Sequence, residues 1–167
     1  MRRIMIIGSG GSGKSTLARQ IGHKLNLPVH HLDAYMWKPN WELSSRAEQR
    51  EIQSQLMKDD KWIIDGNYSG TMDIRLMEAD TVIFLDISRR ICTYQAIKRF
   101  LQNRHTVRPD MAEGCIEKID LEFLSWIWNF PRNKKPAILK KLNMLNDNKR
   151  IIILKSPQQI EIFLNCL

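Results

Sequence analysis

The sequence predicts an α/β protein of the doubly wound, three-layer kind, a parallel sheet with helices on both faces. Three observations predict it. Short Ile/Val-rich runs alternate with stretches of helical periodicity, the pattern of successive βαβ units. The first run, "IMII" (4–7), delivers the chain directly into "GSGGSGKST" (8–16), a glycine-rich loop that opens a helix. No repeat, low-complexity tract or Gly/Ser linker interrupts the 167 residues, a length that fits one domain, 1–167, with a real core.

The elements follow in order. Apolar runs 3–7, 61–64, 81–85 and 150–154 are short and Ile/Val-rich, as strands buried on both faces tend to be. "PVHHLD" (28–33) is a weaker fifth candidate. Helical stretches lie near 14–25, 46–58, 72–78, 89–104 and 137–146. "SRAE" (45–48) is a capping box with Ser45 at the N-cap and Glu48 at N3. "SPQQ" (156–159) is a second, with Pro157 where its missing N–H costs nothing. Residues 105–135 break the rhythm. "HTVRPDMAEG" reads as a loop and "CIEKIDLEFLSWIWNF" (115–130) as a helix. In the helix Ile116, Ile119, Phe123, Trp126, Ile127 and Phe130 make an apolar stripe of core character. The segment is expected to be a helical lid insertion, roughly 100–135, over the carboxyl edge of the sheet, where ligands of such sheets bind.

Composition narrows the function. No apolar run approaches the roughly 20 residues that span a bilayer, and "IMII" after Arg2 and Arg3 is too short for a secretory core. A cytoplasmic protein without a membrane partner is expected, with a monomer as the expected state. Cys92, Cys115 and Cys166 are odd in number, far apart and without CxxC spacing, which reads as free thiols, not disulfides or zinc. The net charge of +8 is localised: residues 88–150 hold 14 Lys and Arg against 6 Asp and Glu, and the remainder is neutral. That stretch is expected to face an anion, a nucleotide's phosphates or a nucleic-acid backbone.

Gly8, Gly13, Lys14 and Ser15 match G-x-x-x-x-G-K-[ST]. Glycines let the backbone of Gly8, Ser9, Gly10, Gly11, Ser12 and Gly13 curl its N–H groups toward phosphates. Lys14 supplies a mobile positive charge, Ser15 a hydroxyl for Mg²⁺, and the helix running on through Thr16 aims its N-terminus at the same anion. No N-K-x-D base-reading motif is present, since "NDNK" (146–149) has another order. A Ras-like GTPase is excluded and ATP is the expected nucleotide.

Phosphoryl transfer needs placement, Mg²⁺ and cations around the moving charge. Three further clusters can supply them. In "HHLDAYMW" (30–37), Asp33 lies where an acceptor would meet the γ-phosphate, to orient or deprotonate it or to hold Mg²⁺ through water. His30 and His31 read as structural. Tyr35, Trp37 and Trp41 read equally as a stacking surface for a planar substrate and as packing of a lobe. In "WIIDGNYSGTMDIR" (62–75) a strand delivers Asp65 toward Lys14 and Ser15, where it suits Mg²⁺. Gly66 and Asn67 make a sharp turn facing the substrate, and Arg75 is placed to approach a substrate anion. In the basic stretch, Arg99 and Arg104 are expected as lid cations, with Arg108 and Arg132 flanking them. Lys134, Lys135, Lys140 and Lys141 read as a solvated face.

Together these residues resemble the P-loop kinases of the adenylate kinase and shikimate kinase type. "GSGGSGKST" is similar to their phosphate loop, "WIIDGNY" to the strand and D-G turn of nucleoside monophosphate kinases, and "RFLQNR" to the start of their arginine lid. "LKSP" stands where those folds wrap the adenine. Across nearly the whole chain, "LDAYMWKPNW", "WIIDGNYSGTMDIRL", "ADTVIFLD" and "WNFPR" resemble the DNA topology modulation, or FlaR-like, proteins. The resemblance implies a P-loop NTPase sandwich with five parallel strands in the order 2-3-1-4-5, and use of ATP and Mg²⁺. By position it implies Lys14 on the phosphates, Ser15 and Asp65 on the metal, Asp33 at the acceptor, and Arg99 and Arg104 in the lid. The turn is "DGNY" where adenylate kinases have "DGFP", and a long monophosphate-binding lobe is absent.

The leading expectation is therefore an ATP-dependent phosphotransferase acting on a small nucleotide, nucleoside or hydroxy-metabolite. A nucleotide-gated DNA-associated regulator is the alternative. It has the basic stretch in its favour and the absence of a helix-turn-helix, zinc finger or base-stacking ladder against it. A plain ATPase ranks last, for want of a partner domain to harvest hydrolysis.

Overall fold

The computed structural model describes residues 1–104, 106–116, 118–145 and 148–167. Five parallel strands form the central sheet: β1 (Arg3–Gly8), β2 (Val29–His31), β5 (Trp62–Asp65), β6 (Thr81–Leu85) and β7 (Arg150–Leu154). Their order is β2-β5-β1-β6-β7, which numbered within the sheet is 2-3-1-4-5. Every adjacent pair runs parallel, and Ile6 of β1 lies opposite Asp65 on one side and Ile83 on the other.

The strands are apolar on both faces because both are covered. Ile4, Ile6, Ile63, Ile83 and Leu85 join one core layer with Leu17, Ala18 and Ile21 of α1 (Lys14–Leu25) and Cys92 and Ala96 of α5 (Arg89–Gln102). Met5, Ile7, Ile64, Val82 and Phe84 join the other. That layer takes in Leu32 and Met36 of α2 (Leu32–Met36), Met72 and Leu76 of α4 (Met72–Glu78) and Ile138 and Leu142 of α7 (Lys135–Asn143). α6 (Leu121–Asn133) serves both, sending Ile127 to the first layer and Phe130 to the second. α8 (Pro157–Asn165) closes the first layer through Ile160 and Phe163.

The capping box of α3 (Arg46–Leu56) is complete: the Glu48 N–H donates to Ser45 Oγ at 3.3 Å and the Ser45 N–H to Glu48 Oε2 at 2.8 Å. Ser156 caps α8 through the Gln159 N–H at 3.2 Å. α3 and α5 each end two residues before their expected ends, at Leu56 and Gln102. The expected end of α7 at residue 146 lies outside the described residues.

Two features depart from expectation. Between β2 and β5 the chain inserts a short antiparallel hairpin, β3 (Trp37–Lys38) with β4 (Glu42–Leu43). The helix expected over 115–130 begins only at Leu121, where Asp120 Oδ1 accepts the Phe123 N–H at 2.7 Å. Before that cap the chain turns inward and buries Met111, Ala112 and Cys115 against Trp37 and Trp41. Ile116, taken from the sequence as the start of the stripe, is instead 53% exposed. A side-chain cap offered at Asp120 and a local apolar cluster outcompete helix propagation over those residues. Among the described residues no helix is long and apolar enough to cross a membrane.

Candidate active site

The carboxyl ends of β1, β2 and β5 open into one cleft of about 1070 Å³. At one end lies the loop from Gly10 to Gly13, leading into α1. Gly11 (φ 72°) passes so close to α5 that a Cβ there would lie 2.1 Å from the Cys92 carbonyl oxygen. α1 starts without a side-chain cap and without an acidic residue in its first turn, so its leading N–H groups have no intrahelical acceptor. Lys14 Nζ folds back to donate to the Ser9 carbonyl at 2.8 Å. Burial lowers its pKa below the usual lysine value, against the opposing pull of Asp65 and Asp33. An uncapped helix start, a retracted lysine and a backbone too tightly curled for side chains fit a nucleotide's phosphates.

Asp65, 3% exposed, stands at the end of β5 with both oxygens engaged. Ser15 Oγ donates to Oδ2 at 2.9 Å, and His31 Nδ1 lies 2.6 Å from Oδ1. His31 is the residue of β2 in register with Asp65. Asp110, 7% exposed, enters from the loop before α6 and pairs with Arg108 at 3.1 Å. Burial opposes its charge, but Arg108 and the Ser15 hydroxyl outweigh burial and hold its pKa below the usual carboxylate value. Among the described residues no three His, Cys, Asp or Glu side chains converge as a metal centre. Ser15 and Asp65 thus fit a magnesium that arrives with phosphate oxygens, not an all-protein cage.

Asp33, near the start of α2, also lines the cleft, its Oδ1 accepting the Tyr68 hydroxyl at 2.7 Å. Burial raises the Asp33 pKa, while the Tyr68 hydrogen bond and Lys14 pull it the other way. Tyr68 takes left-handed backbone (φ 35°) at the end of the D-G-N-Y turn. Gly66 (φ 133°) lets that turn lie against Leu32, whose Cβ would be 2.9 Å from an added Cβ.

Two residues expected at the substrate bond backbone around the turn. Arg75 is fully buried and donates to the carbonyls of Gly66 (2.6 Å), Asn67 (2.6 Å) and Tyr68 (3.4 Å). Asn67 lines the cleft, but its side chain clamps Gly8, accepting from the N–H at 3.0 Å and donating to the carbonyl at 2.6 Å.

The other expected residues divide. Gly10, Gly11, Ser12, Gly13, Lys14, Ser15, Thr16, Asp33, Trp37, Trp41, Gly66 and Arg99 line the cleft. Gly8 and Ser9 are buried beneath the loop. Arg99 reaches toward Phe123, its guanidinium 6.0 Å from the ring. Arg104 and Arg132 are exposed and outside the cleft lining, whereas Arg108 is in it. Position after α5 did not distinguish Arg104 from Arg108; the inward turn that buries Met111 does. Tyr35 is exposed and turns to His30 Nδ1 at 3.3 Å, away from the cleft. The far end is walled by Ile87, Ile91, Pro157 and Ile160. α6 leans over the loop, so that a Cβ on Gly10 would lie 2.9 Å from Phe123.

Comparison with known proteins matches this description. No curated protein matches the chain. Among solved structures, shikimate kinase from Bacteroides thetaiotaomicron aligns with TM-score 0.57 at 19% identity, over 99% of this chain and 95% of its own. Shikimate kinase from Acinetobacter baumannii, in complex with shikimate, aligns with TM-score 0.62 at 11% identity, over 99% and 90%. A gluconokinase from Sinorhizobium meliloti 1021 aligns with TM-score 0.54 at 14% identity, over 98% and 87%. At such identities the likeness is one of fold. The sequence itself gives the family, for residues 1–107, from β1 through α5, match the model of the NB-ARC domain, and the chain belongs to that family of P-loop NTPases.

Proposed function

We propose that the protein is a P-loop phosphotransferase that moves the γ-phosphoryl group of Mg-ATP to a small acceptor. One observation carries the reading: a phosphate-type loop and a half-buried carboxylate outside it, Asp33, line a single cleft. A hydrolase needs no such carboxylate, whereas a transferase needs a group to receive and orient the acceptor. In this reading the loop residues 8–16 bind the triphosphate, and Lys14 neutralises charge on the moving phosphoryl. Ser15 and Asp65 would hold magnesium, which when bound would offset the negative charge of the phosphates. His31 fixes the orientation of Asp65. The acceptor oxygen forms its bond to the γ-phosphorus as the bridging oxygen leaves with ADP, and the acceptor's proton passes to Asp33. Ile87, Ile91, Pro157 and Ile160 give the adenine an apolar seat, Arg99 flanks the triphosphate from α5, and the segment 100–135 acts as the lid of a single domain.

The alternative, a DNA-associated regulator of the DNA topology modulation kind, draws on the basic stretch 88–150. Several of its cations are engaged within the fold. Lys135 pairs with Asp86 at 2.7 Å and Lys141 with Asp73. Lys149 donates to the carbonyls of Met77 and Ala79, and Arg89 lies 4.2 Å over the Trp128 ring. These partners favour the transferase.

The test is ADP release from Mg-ATP across nucleosides, nucleotides and small hydroxy-metabolites, with duplex DNA as a separate arm and Lys14→Ala alongside. Lys14-dependent stimulation by a small compound supports the reading. Stimulation by DNA alone, or by nothing, overturns it.

A further inference from the structure

The acceptor end of the cleft is built from aromatic and hydroxyl groups, and its basic side chains are already engaged. Arg75, the arginine nearest in sequence to the acceptor turn, is fully buried beneath it on three carbonyls. Arg108 is ion-paired with Asp110, and Lys118 lies with its ammonium 5.0 Å over the Trp41 ring. The Tyr68 hydroxyl donates to Asp33, and Tyr68 lines the cleft together with Trp37 and Trp41. The two indoles meet edge to face, their centroids 5.6 Å apart.

Two of these aromatic residues sit on costly backbone. Tyr68 has φ 35°, and Asn40 and Trp41 both have φ 64°, conformations that bulky side chains rarely adopt. Each is anchored by its surroundings: Tyr68 by Arg75 under its turn, and Trp41 by donation from its Nε1 to the Ile116 carbonyl at 3.1 Å. Strain of this kind persists only where the surrounding structure over-determines it, and it concentrates where a ligand is gripped. Here both strained aromatic residues line one cleft.

We infer that the acceptor is an uncharged, ring-bearing alcohol, its hydroxyl read by the Asp33–Tyr68 pair and its ring held against Trp37 and Trp41. A compound bearing a phosphate or carboxylate would bring its negative charge to Asp33 and Asp110 and meet arginines that are already paired. Asp33 keeps acceptor capacity for the incoming O–H while it receives the Tyr68 proton donor. In the transfer the acceptor oxygen bonds to the γ-phosphorus, the bond from phosphorus to the ADP oxygen breaks, and the hydroxyl proton goes to Asp33. Tyr68 is a positioning residue that aims the carboxylate.

This inference rests on the phosphotransferase reading, and matched pairs of compounds separate the two. ADP release by the full chain is measured with each nucleoside against its 5′-monophosphate and each neutral pyranose against its uronic acid. The neutral member is expected to be preferred by at least about tenfold in kcat/KM. Tyr68→Phe is expected to lower acceptor kcat/KM while the Kd for ATP, read from ATP-induced thermal shifts, stays unchanged. Trp41→Leu is expected to raise acceptor KM more than it lowers kcat. Preference for the charged members overturns the inference and leaves the transferase standing. Unchanged acceptor kinetics in a Tyr68→Phe protein that still binds ATP also overturns it. Lys14-dependent turnover with neither member of any pair overturns both.

Discussion

Asp33 lies where burial opposes its charge, and the Tyr68 hydroxyl at 2.7 Å partly offsets that opposition. The hydrogen bond favours the ionised form, so its removal raises the Asp33 pKa further. If Asp33 accepts the acceptor's proton, kcat/KM falls on the acid side as Asp33 protonates. Tyr68→Phe should therefore move that acid limb to higher pH, and a pH–rate profile of the two proteins checks the sign. Lys14→Ala should lower kcat by about 10²–10³-fold, the usual cost of removing one donor from a site of developing negative charge. Single-turnover ADP release with saturating acceptor measures it. Arg75→Lys should destabilise by about 1–3 kcal/mol, because one ammonium cannot replace a planar fork spread over three carbonyls. Denaturant unfolding checks this. At this scale the sequence was legible where chemistry is local. Lys14 and Ser15 stand in a motif whose spacing places them at the cleft, Asp33 follows a strand that brings it there, and Asp65 ends one that brings it to Ser15. Arg75 was misread because its partners are the carbonyls of Gly66, Asn67 and Tyr68, and local sequence does not say whether an arginine turns outward or under its own turn. His31 was passed over because only the β2–β5 register sets it beside Asp65.

Elements were legible where their ends carry a side-chain signal. The box at Ser45 and Glu48 placed the start of α3 correctly, and Ser156 did so for α8. Strands of the central sheet were readable because burial on both faces leaves apolar runs. The β3–β4 hairpin was not, since two residues per strand make no period. The start of α6 was misplaced because the apolar stripe continues upstream of Asp120 while the backbone does not. Glu48 also gives α3 a pH signature. The Lys38 ammonium first, and then the Ser45 hydroxyl and N–H, pull its pKa from 4.5 down to about 2. A depressed carboxyl pKa contributes stability that is present above the unfolded value and lost as pH falls through the folded one. The contribution is therefore intact above pH 4.5 and disappears toward about 2. Glu48→Gln should narrow the difference in melting temperature between pH 6 and acid, and added salt should shrink the effect, because the pair is on the surface.

On the scale of the whole molecule, the cleft is assembled from residues distant in sequence. Lys14 and Ser15 open α1, Asp33 lies in α2, Tyr68 follows β5, Arg99 is on α5, Phe123 on α6 and Pro157 on α8. No short segment of the unfolded chain holds these groups together, so a ligand of the cleft binds the folded state alone and stabilises it by mass action. At a hundred times its Kd such a ligand contributes about 2.7 kcal/mol. For a chain of this size each kcal/mol moves the melting temperature by about 2–4 °C, so Mg-ATP should raise it by roughly 5–10 °C. On the proposed reading, chelating magnesium should remove part of that shift, since Ser15 and Asp65 would then lose the ion that ties them to the phosphates. Lys14→Ala should remove most of it without lowering the melting temperature of the free protein, because the hydrogen bond of Lys14 Nζ to the Ser9 carbonyl lies within its own loop. Thermal melting with and without Mg-ATP makes the comparison. A chain that melts at the same temperature in both conditions would show that the loop, whatever its match to the motif, does not hold a nucleotide.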